Sequence, residues 1–473
     1  MLFSPSPRRK RLQLRISERR LLLMAGDALA VVASVFIALF IWARVADEPF
    51  IPGFILPQSY WFIILLGLWL LLASANDFYE LRVAADRSAS LQLLALITLQ
   101  MLVLYLLVFF FSPREALPRL FIIYYGVSSF LLIGIWRLVN PALIGWASEA
   151  RHVLIVGTDW AAESIVQAIA EHGQKAYDIR GIIGGAHDVG RVIADVPVIG
   201  TGSDLMNFVL RDRISEIIFI SVPDLTGDVF QALMQAYERG VTLTPMPLLY
   251  EKLTGRVPVQ HVNSNWALVL PIAGNSIFNP YPAIQWVMNT VLSLMGLLIL
   301  LILFVPLVIL IRLDSPGSIF YRQQRLGLNG REFEILKFRT MVQDAESASG
   351  AVFSRHGDPR VTRVGRLMRR TRLDELPQLI NILRGDMSIV GPRPERPEHV
   401  LRLTEKIPFY RTRLVVRPGL TGWAQVQYNY GSDDNDALVK LEYDLYYIRH
   451  QSLLLDLNIV LRTVGKVLRM SGV

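Results

Sequence analysis

The chain has no cysteine among its 473 residues. A chain without cysteine forms no disulfide, no thiolate metal site and no thiol nucleophile, so its chemistry must use oxygen and nitrogen groups. Hydrophobic residues make up 52% of the sequence, above the roughly 45–50% of soluble proteins. They are concentrated in long uncharged runs, which predicts a membrane protein.

Four apolar segments near the N-terminus are long enough to cross a bilayer, which takes about 20 residues. They cover residues 21–43, 60–75, 91–111 and 120–139. The first 20 residues are strongly basic, and no convincing cleavage site for a signal peptide follows them. We therefore predict a basic cytoplasmic tail over 1–20 and a four-helix transmembrane bundle over 21–150, which returns the chain to the cytoplasm. Arg82 and Arg87 agree with this orientation, whereas Arg114 and Arg119 oppose it mildly.

Short apolar runs alternate with helical stretches from His152 onward. This βαβ rhythm predicts a Rossmann-like α/β cytoplasmic domain over 151–255. A dinucleotide-binding turn GxGxxG would begin at Gly157, but Asp159 replaces the second glycine. Its negative charge would oppose a pyrophosphate, so a structural or regulatory domain is favoured over a cofactor site. The domain resembles the CoA-binding-like domains found between the membrane and catalytic parts of some sugar-polymer enzymes.

A last apolar segment covers residues 286–311, after a predicted linker over 256–283. Basic residues stand on both sides of it, including Arg256 before and Arg312 after, so the positive-inside rule places both ends in the cytoplasm. Pro306 removes a backbone donor and kinks a helix, which predicts a re-entrant helix that enters one leaflet and turns back. The alternative is a kinked helix that crosses the membrane completely.

Two adjacent acids, Asp374 and Glu375, lie in the run TRLDELPQLINILRGDMSIVGPRPE. The arginines around them are Arg366, Arg369, Arg370, Arg372, Arg384 and Arg393. Adjacent acids repel each other unless a cation or a catalytic role holds them, and clustered guanidiniums gain most from binding phosphate oxygens. A sugar nucleotide with Mg²⁺ meets both demands. The helical spacing of the arginines before the pair and Pro377 behind it predict acids at a helix end or local break.

The acid pair suits two kinds of chemistry. Mg²⁺ usually takes one or two protein carboxylates and fills its other positions with water and phosphate oxygens, so Asp374 and Glu375 supply enough ligands. An ionised aspartate can also attack phosphorus directly, while metal and arginines neutralise the charge on the transferring phosphate. The alternative is that the acids only pair with neighbouring arginines on a solvated helix face.

The ordered motifs KFRTM, LDELPQ, GDMSIVGPRP and RPGLTGWAQ resemble those of the bacterial sugar transferase family. The resemblance covers residues 284–473, and it implies a mainly α monotopic phosphoglycosyl transferase domain with a proline-broken re-entrant helix over 286–311. With the four spans and the α/β domain, the whole chain resembles the large polyprenyl glycosylphosphotransferases of exopolysaccharide and O-antigen synthesis, such as the undecaprenyl-phosphate glucose phosphotransferases. The implied reaction transfers a hexose-1-phosphate from a UDP-sugar to undecaprenyl phosphate and releases UMP.

The resemblance also implies roles for individual residues. Asp374 is expected to be the nucleophile that forms an aspartyl-phosphosugar intermediate, and Glu375 to assist with Mg²⁺ and proton handling. Pro306 stands where the helix of the family breaks. The residues expected to contact phosphate or substrate are Lys337, Arg339, Arg369, Arg372, Arg393 and Asp444.

Mg²⁺ is the expected cofactor, and inner-membrane lipid, the UDP-sugar and undecaprenyl phosphate are the expected partners. The catalytic domain is expected to face the cytoplasm of a bacterium. No nucleic acid partner is expected, and homo-oligomer formation is left open. A membrane-bound nucleotide-sugar oxidoreductase or dehydratase would need an intact glycine turn with a nearby Tyr and Lys, and neither is evident between Arg151 and Tyr250. A non-catalytic polysaccharide-assembly scaffold that binds anionic lipid would not need two adjacent acids within its basic patch.

Overall fold

The structure is a computed structural model of the chain. It describes residues 16–76, 78–79, 83–84, 86–111, 120–147, 150–173, 176–220, 227–259, 280–343, 358–428 and 433–468. Most of the predicted basic tail and residues 260–279 of the predicted linker lie outside the described residues. The chain forms two compact units, one of Met1–His152 with Gln174–Asp178 and one of Val153–Gly173 with Ile179–Val473.

Apolar helices form the first unit. They are α1 (Ile16–Val45), α2 (Pro52–Ile55), α3 (Tyr60–Ala75), α4 (Arg87–Phe111) and α5 (Phe121–Ala147). The segments Arg20–Val45, Arg87–Tyr105 and Phe121–Val139 are each long and apolar enough to cross a membrane. The second predicted span differs, because α3 has only 16 residues and the helical segment before it is bent away by 46°. At about 24 Å, α3 is shorter than a hydrocarbon core of about 30 Å, so a span here must include the bent segment.

A buried ion pair joins α1 to α5. Arg137 on α5 donates to Asp27 on α1 at 2.5 Å, and both side chains are shielded from solvent. The Arg137 guanidinium also donates to the Phe78 carbonyl at 3.1 Å and lies 3.8 Å from the centre of the Phe78 ring. Charges within apolar helices are costly unless they are paired, so this contact restricts how α1 and α5 can pack.

The chain from Arg151 to Thr254, called the α/β part below, contains a six-stranded mixed sheet. Its strands are β1 (Arg151–Val156), β2 (Tyr177–Ile183), β3 (Val192–Ile193), β4 (Val196–Gly200), β5 (Glu216–Phe219) and β6 (Thr242–Pro245), in the order β3-β4-β2-β1-β5-β6. β1 pairs in parallel with β5, β5 with β6, and β2 with β4, whereas β3 is antiparallel to β4. The helices are α6 (Trp160–His172), α7 (Leu205–Arg211), α8 (Gly227–Glu238) and α9 (Met246–Thr254). The predicted alternation of strands and helices is confirmed.

A single helix of 34 residues, α10 (Tyr281–Asp314), replaces the predicted broken segment. Pro306 lies inside α10 and helix continues on both sides of it, so the predicted break in secondary structure is wrong. A proline removes one helical hydrogen bond, while the other residues of a long apolar helix keep theirs. The helix is long and apolar enough to cross a membrane, and its re-entrant course stays a prediction.

Contacts along its length attach α10 to the rest of the second unit. The Asn289 side-chain oxygen accepts from the Ile389 N–H at 2.9 Å and from the Ser388 hydroxyl at 3.1 Å. Further along the helix, a Cβ added at Gly296 would lie 2.5 Å from a methyl carbon of Leu379, so a larger residue would require the Leu379 side chain to shift. The apolar helix is therefore an integral part of the unit that carries the acid pair.

Short strands and helices complete the second unit. They are β7 (Phe320–Leu326), β8 (Glu332–Phe338), α11 (Arg363–Thr371), α12 (Gln378–Arg384), β9 (Ser388–Val390), α13 (Pro397–Lys406), β10 (Gly419–Thr421), α14 (Trp423–Gln427), α15 (Asp434–Arg449) and α16 (Leu453–Leu468). β7 and β8 form an antiparallel hairpin, and β9 and β10 are parallel. Val257 and Val259, which follow α9, are buried in the same core as Leu379, Val400 and Leu445. The start of the predicted linker is thus packed into this core.

Candidate active site

The two acids lie on a tight turn between two helices. α11 ends at Thr371, Arg372 adopts a left-handed conformation with a φ of 56°, and a 3-10 turn covers Leu373–Glu375. The predicted helix end is therefore confirmed. Asp374 and Glu375 are each only 8% exposed. Acids buried to this extent do not lie on a solvated helix face. The alternative in which they only pair with neighbouring arginines on such a face is therefore excluded.

Three cations hold Glu375. Its Oε1 accepts from Lys337 Nζ at 3.0 Å and from Arg393 Nη2 at 3.1 Å, while its Oε2 faces Arg372 Nη1 at 3.5 Å. Burial opposes ionisation of Glu375, but Lys337, Arg393 and Arg372 outweigh burial and lower the pKa of Glu375 below its usual range. Glu375 is thus an ionised anchor for these cations.

The surroundings of Asp374 differ from those of Glu375 although the two residues are adjacent. Within the described part of the chain its carboxylate forms no hydrogen bond or ion pair. Burial, followed by the charge of Glu375, raises the pKa of Asp374 to about 6, against the attraction of Lys337, Arg369 and Arg393. At neutral pH this carboxylate is mostly ionised, largely desolvated and not engaged by a partner, which are the properties of a nucleophile.

The surrounding cations come from separate parts of the chain. Lys337 lies in β8, and Arg393 lies on the loop between β9 and α13. Arg369 on α11 donates from Nε to the Thr340 hydroxyl at 2.9 Å, and its charge also acts on Asp374. Together with Arg372, these predicted residues are gathered around the acids, while Arg366 and Arg370 are exposed. Their contacts with phosphate stay predictions.

Arg339 and Asp444, which were also predicted as site residues, contact other parts of the fold. The terminal nitrogens of Arg339 donate to the carbonyls of Ser315 and Pro316 at 2.6 and 2.5 Å, just after α10 ends. Carbonyls at a helix C-terminus lack helical donors, so a cation is favourable there. Asp444 is 1% exposed and accepts from Arg413 at 2.8 Å. The phosphate or substrate contacts expected of Arg339 and Asp444 stay predictions.

The sequence did not indicate two residues that hold Arg393. Arg413 bridges Asp444 and the Arg393 carbonyl, to which it donates at 3.2 Å. Gln425 accepts from Arg393 Nη1 through its Oε1 at 3.3 Å. Neither residue has a telling spacing to the acid pair, and the only signal for Gln425 was its place in the motif RPGLTGWAQ.

The acid pair also offers the hard oxygen ligands that Mg²⁺ prefers. Among the residues that the structure describes, no cluster of three or more His, Asp or Glu suited to a metal is found. Mg²⁺ bound with substrate phosphates needs only one or two carboxylates. The Glu375 oxygens already face cations, so Asp374 is the protein ligand that best fits such an ion. Mg²⁺ itself stays a prediction.

Comparison with known proteins gives two family matches. Residues 281–470 match the family model described as bacterial sugar transferase. Residues 74–239 match the one described as a CoA-binding domain. The second match begins well before β1, so it covers α4 and α5 as well as most of the α/β part.

Several proteins are similar to this chain. It is 39% identical over 246 residues to a UDP-N-acetylgalactosamine-undecaprenyl-phosphate N-acetylgalactosaminephosphotransferase of Aeromonas hydrophila, which covers 52% of this chain and 56% of that protein. It is 33% identical over 276 residues to a UDP-glucose:undecaprenyl-phosphate glucose-1-phosphate transferase of Xanthomonas campestris pv. campestris, which covers 58% and 57% of the two chains. A protein of the same name from Caulobacter vibrioides is 46% identical over 184 residues, with 38% of this chain and 68% of that protein covered. The first two alignments span little more than half of each relative.

The apolar helices indicate a membrane protein, and the described residues include a buried acid pair surrounded by cations. The family match over residues 281–470 and the extent of the Caulobacter alignment show the family. The chain belongs to the bacterial sugar transferase family, and the resemblance seen in the ordered motifs is confirmed.

Proposed function

We propose that the chain transfers a hexose-1-phosphate from a UDP-sugar to undecaprenyl phosphate through a covalent intermediate on Asp374. The names of the relatives describe this type of reaction, with N-acetylgalactosamine in one and glucose in two. Since they differ in sugar, only the class of donor is proposed here. The observation that carries the function is the contrast between the two acids. Glu375 is held by three cations, whereas Asp374 is buried and no described residue forms a hydrogen bond or ion pair with its carboxylate.

The reaction has two displacements at one phosphorus atom. In the first, an Asp374 oxygen attacks the β-phosphorus, the bond from that phosphorus to the bridging oxygen breaks, and UMP leaves with the bridging oxygen and its electron pair. In the second, an oxygen of undecaprenyl phosphate attacks the same phosphorus and the bond to Asp374 breaks. The carboxylate is restored, and the product is a polyprenyl diphosphate sugar that begins an exopolysaccharide or O-antigen repeat unit.

The cations around Asp374 have a direct use in this chemistry. Negative charge grows on the phosphate oxygens during each displacement, and fixed cations in a desolvated site stabilise it. Glu375 keeps Lys337 and Arg393 in place, and its lowered pKa makes it an anchor rather than a proton carrier. When bound, Mg²⁺ would add further neutralisation of the phosphate charge.

The location of the site follows from α10 and the acceptor. Undecaprenyl phosphate lies with its phosphate at a membrane surface. The helix α10 is long and apolar enough to enter a membrane, and it is packed against the residues that carry the acid pair. We place this unit on the cytoplasmic side of the inner membrane, where nucleotide sugars are made. The oxidoreductase alternative is disfavoured because the Asp159 carboxylate caps α6, accepting from the Ala161 N–H at 2.9 Å. A pyrophosphate would need that helix end.

The decisive test is covalent trapping. Purified chain with Mg²⁺, undecaprenyl phosphate and a panel of UDP-sugars should release UMP, and chelation of Mg²⁺ should stop the release reversibly. With radiolabelled sugar donor and no acceptor, the label should appear on the peptide that contains Asp374. Asp374→Asn should neither release UMP nor take up label, whereas Glu405→Gln, an exposed acid on α13, should do both. Label on another peptide, or undiminished release by Asp374→Asn, would contradict the assignment.

A further inference from the structure

Helix α14 makes contacts in two directions, and one of them leads to the acid pair. Arg393 donates from Nη1 to Gln425 Oε1 at 3.3 Å and from Nη2 to Glu375 Oε1 at 3.1 Å. Gln425 therefore holds one arm of the guanidinium while Glu375 holds the other. Arginine only donates hydrogen bonds, so the carbonyl oxygen of Gln425 must be the atom that faces it.

When its carbonyl oxygen faces Arg393, the amide nitrogen of Gln425 is turned into the protein interior. Its Nε2 is buried and has no hydrogen-bond partner within the described residues. Burying a donor without a partner is unfavourable, so a native structure that keeps one calls for a reason. Holding Arg393 beside the acid pair supplies that reason.

The other direction leads to the α/β part. Trp423, two residues before Gln425, donates its indole N–H to the Gly255 carbonyl at 2.9 Å. Gly255 ends α9 in a left-handed conformation with a φ of 67°, and a Cβ there would lie only 3.2 Å from the Trp423 ring. Glycine thus permits both the helix end and the close approach of the indole.

A second contact holds α9 against α15. Glu251 on α9 accepts from Arg449 at 2.5 Å and faces His450 Nε2 at 3.2 Å. Tyr446, also on α15, stacks on the Trp423 ring with the ring centres 5.8 Å apart. α9, α14 and α15 are therefore packed together, and movement of α9 would be transmitted to α14.

We propose that Gln425 is a positioning residue for sugar-phosphate transfer, and that the α/β part fixes its place by binding Trp423. Gln425 acts through Arg393, which holds Glu375 and faces the phosphate. This role rests on the proposed function and deepens it. It gives the α/β part a use in the reaction, although that part supplies no reacting group.

The test compares two glutamines of the same helix. Gln425→Met removes the acceptor and keeps the volume, and Gln427→Met is the matched control because the Gln427 side chain forms no hydrogen bond or ion pair among the described residues. Loss of one hydrogen bond should lower kcat/KM of Gln425→Met roughly two- to tenfold. The thermal midpoint should stay close to that of the wild type, and Gln427→Met should behave as the wild type in both respects.

A second measurement needs no turnover. Phenylglyoxal modifies accessible arginine side chains, so the rate of Arg393 modification, followed by peptide mass spectrometry, reports how firmly its guanidinium is held. Gln425 and Glu375 each accept a hydrogen bond from this guanidinium, so Gln425→Met should raise the rate. Trp423→Phe, which removes the indole donor and part of the ring, should raise it less.

Each of the other outcomes contradicts a specific part of the proposal. Equal kcat/KM and equal rates of Arg393 modification for the two glutamine variants would remove the positioning role of Gln425. A lower thermal midpoint without faster modification of Arg393 would also remove it, since the effect would then be on stability alone. Faster modification in Gln425→Met with no change in Trp423→Phe would remove the role of the α/β part. If the wild type releases no UMP, the proposed function fails, but the rates of Arg393 modification still decide whether Gln425 positions Arg393.

Discussion

Replacing the two adjacent acids by their amides, one at a time, should change stability in opposite directions. Asp374 has a raised pKa of about 6, because burial and the charge of Glu375 disfavour its ionised form. Above pH 6 the native state therefore carries a charge that the unfolded state holds at lower cost. Asp374→Asn removes that charge, and the gain at pH 7 should be on the order of 1–3 kcal/mol. The same variant should have no transfer activity.

The pH dependence of this gain has a defined sign. As the pH falls through 6, native Asp374 takes up a proton while the unfolded chain is still ionised, so the wild type becomes relatively more stable. Below the unfolded pKa of about 3.9, both states are protonated and the charge no longer distinguishes them. The advantage of Asp374→Asn should therefore be full at pH 7 and disappear near pH 4.

Glu375→Gln should show the opposite behaviour. The lowered pKa of Glu375 means that its charge stabilises the native state above its unfolded pKa of about 4.3. The amide leaves Lys337, Arg372 and Arg393 facing a neutral group, which should cost about 1–3 kcal/mol at pH 7. Since the native carboxylate protonates only at low pH, this loss should persist down to about pH 4.5 and fade below it.

Thermal midpoints in detergent at pH 7 and pH 4.5, with UMP release measured beside them, test the pair. A higher midpoint for Asp374→Asn and a lower one for Glu375→Gln at pH 7 are expected. Glu405→Gln serves as the control for removing an exposed acid. The assigned charge states would be refuted if the thermal midpoints of Asp374→Asn and Glu375→Gln shifted in the same direction. A lower midpoint for Asp374→Asn at pH 7 would also refute them.

Four further predictions concern activity, stability and topology. Because Asp374 must be ionised, kcat/KM should fall about tenfold per pH unit below about 6. A decline that begins only near pH 4 would show that the pKa of Asp374 is not raised. Arg393→Ala should lower kcat/KM by weakening phosphate stabilisation, so an unchanged value would remove it from the site. Asn289→Leu leaves the Ile389 N–H without an acceptor and should cost about 1–3 kcal/mol, seen as a lower thermal midpoint; an unchanged midpoint would show that this contact is not needed. In this cysteine-free chain, Glu332→Cys should resist a membrane-impermeant maleimide in intact cells while Glu48→Cys reacts, and labelling of the former would contradict the cytoplasmic placement.

The candidate site could be predicted from the motifs because they are local. LDELPQ puts two acids next to each other whatever the fold, and the arginines before them reach one helix face by spacing alone. Hydrophobic runs likewise indicate membrane helices, since length and apolarity are properties of the chain itself. The end of α11 just before the acids also followed from local signals.

The length of α3 and the continuity of α10 were less accessible to the sequence. Proline at position 306 lowers the stability of a helix locally, but whether the helix breaks depends on the packing around it. Similarly, an apolar run predicts a span without showing where the backbone bends, as it does before Tyr60.

Only the tertiary structure separated the roles of the two acids. Lys337 and Arg393 reach Glu375 from a strand and a loop that lie 38 and 18 residues away along the chain. Whether these cations contact Glu375 or Asp374 depends on the direction in which each carboxylate side chain points. The same holds for Arg339, Asp444 and Gln425, whose partners are distant in sequence. The sequence determines which charged groups are available. Burial and distance in the folded chain determine which of them are paired, and only that arrangement leaves Asp374 ionised with no partner among the described residues.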